Sequence, residues 1–252
     1  MLSLNEIKNS EYKIILCYPR FSEKEFSQRV RELKKLSVRF LKLDGDKQLG
    51  KFQISGKGHA SIVVRILSTR GTVLALKARR TDSGKPNMFL ETKILLKTNK
   101  IGIGPKLHGF TKNFILFDFI EGPTLSEWIS SKRRNHHTIK NILSEILKQC
   151  HSLDNIRIDH GELSRAHKHI IIGKKNKPVI IDFEKSSDSR RVSNVTSICQ
   201  YLFVKGKLAS ETEQTIGKID KNIFLKLLRE YREKLDETSF NKILSALNLK
   251  MS

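Results

Sequence analysis

The chain has 252 residues and a formal net charge of +22, from 48 Lys or Arg and 26 Asp or Glu residues. Its length allows one large domain or two small ones. The surplus of positive charge attracts polyanions such as nucleic acids, nucleotides or acidic membranes, with a solvated basic surface as the alternative explanation. No apolar run is long enough to span a membrane, and the first residues lack a signal-peptide pattern. The three cysteines are widely spaced and form no CxxC pair, which fits a reducing compartment. From these features together we expect a soluble cytoplasmic protein with no membrane partner.

The first 48 residues predict a small unit that alternates strand, helix and strand. Residues 12–18 and 37–43 are typical of strands, and residues 22–36 are typical of a helix with one apolar face. Ser22 and Glu25 have the spacing of a capping box at the start of this helix. We therefore expect an N-terminal α/β extension over residues 1–48.

A sheet is predicted to follow this extension. Glycine-containing turns separate three apolar segments, expected to form antiparallel strands at 51–55, 62–67 and 72–79. A helix is predicted over residues 88–100, then a short strand, then a further strand over residues 113–120. Together these elements predict a β-rich domain over residues 49–120.

The rest of the chain is predicted to be mostly helical. Thr124 and Glu127 form a second capping-box pattern, and residues 138–153 predict a strongly amphipathic helix. A β-hairpin is expected around the segment GKKNKP, with helices at about 193–204 and 222–248. The predicted fold class is therefore α+β, with a helical domain over residues 121–252.

The segment GKGHASIVVR fits the phosphate-binding pattern G-x-G-x-x-(small)-x-V. Its two glycines would let the backbone approach phosphates closely, and N–H groups of the turn could then face them. Ser61 stands where the pattern has its third glycine. A glycine-rich hairpin without a ligand is the alternative. In this pattern the nucleotide-binding residues would be Gly56, Lys57, Gly58, Ser61 and Val63.

Lys77 lies in the next predicted strand, within the apolar segment VLALKA. Burial of an ammonium group is costly unless an anion is near. Glu91, on the following predicted helix, is the natural partner. The order of glycine turn, strand lysine and helix glutamate matches protein kinases, in which this lysine binds the ATP phosphates. An exposed lysine and a solvated glutamate are the alternative.

The segment ILFDFIEGPTL resembles the strand-to-hinge segment of protein kinases, although an ordinary edge strand with a turn is the alternative. With Lys77 and Glu91, it makes the chain similar to a protein kinase core over about residues 50–205. The chain is most similar to small atypical archaeal kinases, the RIO kinases and the kinase of the KEOPS tRNA-modifying complex. This resemblance implies a bilobal kinase fold, ATP as cofactor, and adenine contacts from the backbone of Asp118, Phe119 and Ile120.

Asp182, in the segment IIDFE, matches the metal-binding Asp of these kinases, with Phe183 packing beneath it. A carboxylate suits Mg²⁺ because this ion prefers oxygen ligands, and the phosphates would supply others. Glu184 replaces the usual glycine, so the backbone there should be less flexible. A plain strand end is the alternative interpretation of this segment.

The segment DHGELSRAHKH aligns with the catalytic loop of the same families. Glu162 falls on the catalytic Asp. Its carboxylate can accept a hydroxyl proton, but the extra methylene could displace the base by about 1 Å. Asp159 stays open as a substitute base.

Histidines stand where the kinase pattern has an Asn as its second metal ligand. Counting forward from Glu162 gives His167, whereas counting back from Asp182 gives His169. A neutral imidazole can bind a metal, but Mg²⁺ prefers oxygen, so Mn²⁺ could be better tolerated. An alternative is a zinc site formed by His160 and both of these histidines, although no Cys accompanies them as a further ligand.

The leading hypothesis is an ATP- and Mg²⁺-dependent Ser/Thr-type protein kinase, able to autophosphorylate, with Glu162, Lys77 and Asp182 as catalytic residues. The short segment after Asp182 has no A-P-E motif, which argues against activation-loop regulation, as in the compact RIO and KEOPS kinases. The alternative is an ATP-binding pseudokinase or kinase-like ATPase that acts as a scaffold. A small-molecule phosphotransferase is less favoured because the helical half is short and basic.

Basic residues near the predicted loop indicate an anionic partner. Arg165 and Lys168 would neutralise phosphate, or simply add to surface basicity. The segments SKRR (131–134) and GKKNK (173–177) would suit an RNA or ribonucleoprotein partner. The protein substrate and the role of residues 1–48 stay open.

Overall fold

The computed structural model describes residues 1–8, 11–68, 71–131, 135–204 and 206–249. It confirms a mixed α+β protein with an antiparallel sheet. The chain divides into two compact units, of which unit 1 comprises Met1–Asn99 and Pro105–Phe119, and unit 2 comprises Lys100–Gly104 and Ile120–Ser252. Within the described ranges, none of the helices has the length and apolar character that a membrane crossing requires. The predicted basic segment SKRR lies, after Ser131, outside the described residues.

Unit 1 is built on one antiparallel sheet with the strand order β1-β2-β6-β7-β9-β8, and β5 pairs with β6 beside this path. The hairpin of β3 and β4 is separate from it. The central strand β7 is buried along most of its length because it has neighbours on both sides. The strands are β1 (Leu2–Ser3), β2 (Phe40–Lys42), β3 (Lys47–Leu49), β4 (Phe52–Ile54), β5 (Gly56–Lys57), β6 (Ser61–Leu67), β7 (Val73–Arg79), β8 (Leu107–Phe110) and β9 (Phe114–Asp118).

The helices of unit 1 are α1 (Leu4–Lys8), α2 (Lys13–Leu16), α3 (Glu23–Lys35) and α4 (Phe89–Lys100). The strand predicted over residues 12–18 is wrong, because this segment contains α2. A short apolar run fits a helix or a strand equally well, and here Ile15 and Leu16 are buried by a single helical turn. At the start of α3, Ser22 Oγ accepts a hydrogen bond from the Glu25 N–H, as the capping pattern predicts.

Two further strand predictions need correction. The segment 51–55 forms β4, which pairs with β3 rather than with β6. The segment 37–43 keeps only Phe40–Lys42 as β2, because Ser37 adopts a left-handed backbone with φ of 55°. Strand β4 therefore lies outside the main sheet, and β2 is shorter than the sequence pattern indicates.

The first 48 residues pack into the core of unit 1. Strand β2 pairs with β6, and β1 pairs with β2. Ile7, Leu33 and Leu41 are fully buried in the same apolar cluster as Ile62 and Leu76 from the strands that follow. This segment therefore extends the sheet and shares its hydrophobic core.

A buried arginine ties α3 to the sheet. Arg29 is fully buried, and its Nε donates to Glu25 Oε1 at 2.7 Å. Its Nη1 donates to the backbone carbonyls of Leu16 at 2.7 Å and Arg79 at 2.6 Å. Glu32, one turn further along α3, accepts hydrogen bonds from both the backbone and the side chain of Asn113. The polar contacts of α3 therefore join segments that are far apart in the chain.

Unit 2 is mostly helical and carries one β-hairpin. The capping box of Thr124 and Glu127 is confirmed. The predicted helix over 222–248 is divided at Leu235, whose φ is 52°, and Asp236 caps the helix that follows. The elements are α5 (Leu125–Ser130), α6 (His136–Asn155), β10 (Ile170–Ile172), β11 (Pro178–Ile180), α7 (Asn194–Cys199), α8 (Lys207–Ile216), α9 (Lys221–Lys234) and α10 (Glu237–Ala246), with a π-helical turn at Gln200–Val204 and 3-10 turns at Leu163–Lys168, Lys174–Asn176 and Phe183–Lys185.

A buried carboxylate fixes the start of α7 against α6. Asp154 accepts hydrogen bonds from the N–H groups of Asn194 and Val195 and from the Tyr231 hydroxyl. Burial raises the pKa of Asp154, although these hydrogen bonds act in the opposite direction. Asn194 Oδ1 in turn accepts from the backbone N–H of His160 at 2.8 Å. Helix α6 therefore supports the loop that begins at residue 159 through one intervening side chain.

We expect Arg29→Ala to lower the free energy of unfolding by about 3–5 kcal/mol, because it leaves buried partners of the guanidinium without their donor. Arg31→Ala is the matched control, since Arg31 is exposed on the same helix. Its effect should stay within about 0.5 kcal/mol. Urea unfolding of both variants measures the difference, and equal effects would contradict a structural role for Arg29.

Candidate functional site

Unit 1 contains a buried ion pair between Lys77 and Glu91. Lys77 lies near the middle of β7, opposite Val63 of β6 and Ile115 of β9. Its Nζ is 2.7 Å from Glu91 Oε1, and the two side chains are 5% and 8% exposed. Since removal of either charge would leave the other in a dry environment, the pair is a strong positional constraint. The alternative of an exposed lysine and a solvated glutamate is excluded.

The glycine-rich segment forms a tight turn between β5 and β6. Gly56 pairs with Val63, and the Gly58 N–H donates to Ser61 O at 2.8 Å. A Cβ atom at Gly56 would lie 3.2 Å from Val63 Cβ, so the pairing leaves little room for a side chain. Ser61 is buried, whereas Lys57 is exposed. The structure therefore brings together the five residues that the pattern predicted.

Arg80 and Tyr18 hold this turn, although no sequence motif marks either residue. The Arg80 guanidinium donates to Gly58 O at 3.1 Å, and its backbone N–H donates to Ala60 O at 2.9 Å. The Tyr18 ring lies 5.0 Å from the Arg80 guanidinium carbon and 5.5 Å from Lys57 Nζ. Cations at this distance from an aromatic ring are attracted to it. In the sequence, Tyr18 was only an aromatic residue of the N-terminal segment, and nothing linked it to the glycine-rich turn.

The predicted adenine-binding segment has partners of its own. The Asp118 N–H donates to Lys106 O at 2.9 Å, so it is already used within unit 1. Its carboxylate lies 2.6 Å from His108 Nε2. The Phe119 ring lies 5.1 Å from the Arg65 guanidinium carbon, and unit 2 begins with Ile120. The Asp118 N–H is therefore not available for the adenine contact that was predicted for this residue.

Unit 2 brings Glu162, His169 and Asp182 together. One ligand atom from each residue lies within 4.8 Å of the others. Gly161, with φ of 85°, turns the chain before Glu162, and a Cβ there would lie 2.9 Å from Lys185 O. The Ile181 N–H donates to His169 O at 2.9 Å, which aligns the two ends of the hairpin. Segments that are separated by the whole hairpin therefore present three metal-binding groups together.

Asp182 has a left-handed backbone, with φ of 65° and ψ of 72°. This conformation is uncommon for residues other than glycine, and residues that adopt it are often found at functional sites. Phe183 is buried directly after it, with its ring 5.1 Å from the His160 ring. The backbone turn therefore separates an exposed carboxylate from a buried aromatic ring.

Glu162 is engaged by a lysine that the sequence analysis did not single out. Lys185 Nζ is 2.8 Å from Glu162 Oε1, and this hydrogen bond raises the pKa of Lys185. The other oxygen, Oε2, lies 3.9 Å from His169 Nε2. In the sequence Lys185 was one of many lysines, and nothing in its neighbours marked it. The Glu162 carboxylate therefore has a cation on one side and an imidazole on the other.

The three histidines of the loop have different positions. His160 is fully buried, its Nε2 donates to Ile181 O at 3.0 Å, and burial lowers its pKa to about 4. His167 is exposed and does not belong to the cluster. The pKa of His169 is lowered by burial, and the carboxylates of Asp182 and Glu162 offset only part of this effect. Of the two candidates for the second metal ligand, the structure brings His169 to Asp182, and the three-histidine zinc site does not form among the described residues.

Asp159 is committed to a structural role. It is 3% exposed, its Oδ2 accepts from Arg190 Nε at 2.6 Å, and its Oδ1 accepts from the N–H and hydroxyl of Ser193 at 3.0 Å. These contacts occupy both carboxylate oxygens. Asp159 is therefore a poor substitute for Glu162 as a base.

The comparisons with known proteins leave the function to be argued from these residues. No family model matches the chain. A stretch of 118 residues, 46% of the chain, is 27% identical to an uncharacterised protein of the archaeon Methanocaldococcus jannaschii and covers 96% of that protein. The chain is thus similar to an archaeal protein whose description states no activity.

We expect Asp159→Asn to lower the free energy of unfolding by about 1–3 kcal/mol, because the amide cannot satisfy Arg190 and Ser193 together. Glu162→Gln should cost less than about 1 kcal/mol, since it breaks one contact with an exposed lysine. Urea denaturation of both variants provides the comparison. A larger loss for Glu162→Gln would show that Glu162, and not Asp159, is the structural carboxylate.

Proposed function

We propose that the chain is an ATP- and Mg²⁺-dependent Ser/Thr-type protein kinase of the cytoplasm. It would adopt a bilobal kinase fold like that of the RIO kinases and the KEOPS-complex kinase, with units 1 and 2 as its lobes. The observation that carries the proposal is the buried pair of Lys77 and Glu91. A lysine held in a sheet by a helix glutamate, on the second strand after a glycine-rich turn, is the arrangement that protein kinases use for the ATP phosphates.

Each residue has a role that follows from its chemistry. The turn from Gly56 to Val63 would approach the phosphates, and Lys77 would bind them while Glu91 fixes its ammonium. Asp182 and His169 would hold the metal ion, whose charge offsets that of the phosphates. Their ligand atoms lie close enough to serve one ion, together with those of Glu162.

Glu162 would accept the proton of the attacking hydroxyl. Its Oε2 faces the cluster, while Oε1 is bound by Lys185. The Lys185 ammonium occupies one of the two carboxylate oxygens that a substrate hydroxyl would approach. This contact favours a second candidate, an ATP-binding pseudokinase or kinase-like ATPase that acts as a scaffold.

The partner would be anionic. Lys174, Lys175 and Lys177 are exposed at the tip of the β10–β11 hairpin, and Arg165 and Lys168 are exposed in the preceding turn. A group of cations on one segment attracts phosphate backbones through long-range electrostatics. These residues support an RNA or ribonucleoprotein partner beside the protein substrate.

We expect Lys77→Met to abolish the rise in thermal unfolding temperature that ATP with Mg²⁺ gives the wild type. The single variant leaves Glu91 buried without its ammonium, so it should also lose about 3–5 kcal/mol of stability. The double variant Lys77→Met with Glu91→Leu should regain part of this stability but still not respond to ATP. Lys112→Met is the control, since Lys112 is exposed in the same unit. An ATP response in the double variant would contradict the proposal.

Transfer of the phosphoryl group separates the kinase from the scaffold. With γ-labelled ATP and Mg²⁺ or Mn²⁺, the wild type should label itself or an added protein, and Asp182→Asn should not. Glu162→Gln should slow transfer by about 10²–10⁴-fold while ATP still stabilises the protein, because a general base acts only in the chemical step. Glu233→Gln, an exposed change in unit 2, is the control. ATP stabilisation with no turnover in the wild type would favour the pseudokinase.

A further inference from the structure

The His169 ring has no hydrogen bond among the described residues. Its Nδ1 is buried without a partner, and its Nε2 lies 3.9 Å from Glu162 Oε2, which is too far for a hydrogen bond. The side chain is only 12% exposed. The Nε2 atom, which lies on the side of Glu162, is therefore the ring nitrogen that a cation could bind, whereas Nδ1 is on the other side of the ring.

The distances in the cluster fit one metal ion. Ligand atoms of Glu162, His169 and Asp182 lie within 4.8 Å of one another. Atoms that bind one ion at about 2.1 Å are at most about 4.2 Å apart. A movement of a few tenths of an ångström at each side chain would therefore close the site.

The donor set selects the kind of ion. Mg²⁺ prefers oxygen ligands only, whereas first-row transition ions readily accept imidazole together with carboxylates. We propose that Glu162, His169 and Asp182 form a site for a divalent first-row transition ion, represented by Mn²⁺, which fills in the absence of nucleotide. The catalytic use of this ion rests on the proposed function, but its binding does not. In this nucleotide-free arrangement Glu162 is a metal ligand.

Lys185 sets the strength of the site. Its ammonium is bound to Glu162 Oε1, so it places a positive charge next to the position of the ion. Like charges at this distance repel, and the repulsion weakens the binding of a divalent ion. The same contact leaves Oε2 on the side of His169. Removal of the Lys185 charge should therefore tighten the binding of the ion, whereas removal of the Glu162 or His169 ligand should weaken it.

A titration of the full chain with MnCl₂, followed by the electron paramagnetic resonance signal of free Mn²⁺, tests the proposal. The wild type should bind one ion without nucleotide, and only a large excess of Mg²⁺ should displace it. Glu162→Gln and His169→Ala should each weaken binding by at least about 10–100-fold, the cost of losing even an outer-shell partner of a metal. Lys185→Ala should tighten binding several-fold. His167→Ala, which changes an exposed histidine of the same loop, should bind Mn²⁺ like the wild type.

The result that overturns the proposal is a wild type that binds no Mn²⁺, or a Glu162→Gln or His169→Ala variant that binds it unchanged. Thermal unfolding without metal identifies a misfolded variant, and tighter binding by Lys185→Ala cannot arise from misfolding. Stabilisation by ATP without Mn²⁺ binding would remove this site and leave the kinase proposal standing. Mn²⁺ binding without any response to ATP would remove the kinase proposal and leave this metal site standing.

Discussion

The ammonium group of Lys77 is the constraint on which unit 1 depends. An ammonium group in the middle of a sheet requires an anion, and α4 provides it through Glu91. The same helix buries Thr92 and Thr98, whose hydroxyls donate to the backbone carbonyls of Met88, just before the helix, and Leu95. It meanwhile leaves several large apolar residues exposed, namely Phe89, Leu90 and Leu96. The face that α4 turns to the sheet is therefore chosen by the ion pair as much as by the burial of apolar surface.

The loop of unit 2 depends on a different device, a relay of hydrogen bonds. Asp154 holds Asn194, and Asn194 holds the backbone of His160. Asp159, the residue before His160, is fixed by Arg190 and Ser193. Asp159 and the backbone of His160 are thus held by structural contacts, whereas Glu162 and Asp182 are more exposed. This division explains why neighbouring polar residues in one short segment have unlike roles.

The sequence predicted those features that local patterns encode. The capping box of Thr124 and Glu127 and the amphipathic helix α6 depend on fixed spacings, and both are present. The segment 12–18 was mistaken because a single apolar helical turn has no period of its own. The break at Leu235 was missed because a leucine gives no sign that its backbone will be left-handed.

The residues of the candidate site likewise differ in whether the sequence alone could predict them. Lys77 and Asp182 could be found because each stands in an unusual local context, a lysine among apolar residues and an aspartate at a strand end. Lys185 could not, because its contact with Glu162 depends on how the hairpin returns the chain. The choice between the two histidines likewise needed coordinates, since counting residues cannot fix the path of a loop. Long-range pairing, rather than residue type, was the missing information.

The contact between Tyr18 and Arg80 bears on how the protein can be divided. Tyr18 lies in the first 48 residues, yet it packs against the arginine that holds Gly58 and Ala60. Strand β2 and helix α3 from the same segment complete the sheet and its core. The N-terminal segment is therefore not a detachable module, since a fragment that began at the glycine-rich turn would lack the Tyr18 contact, β2 and α3.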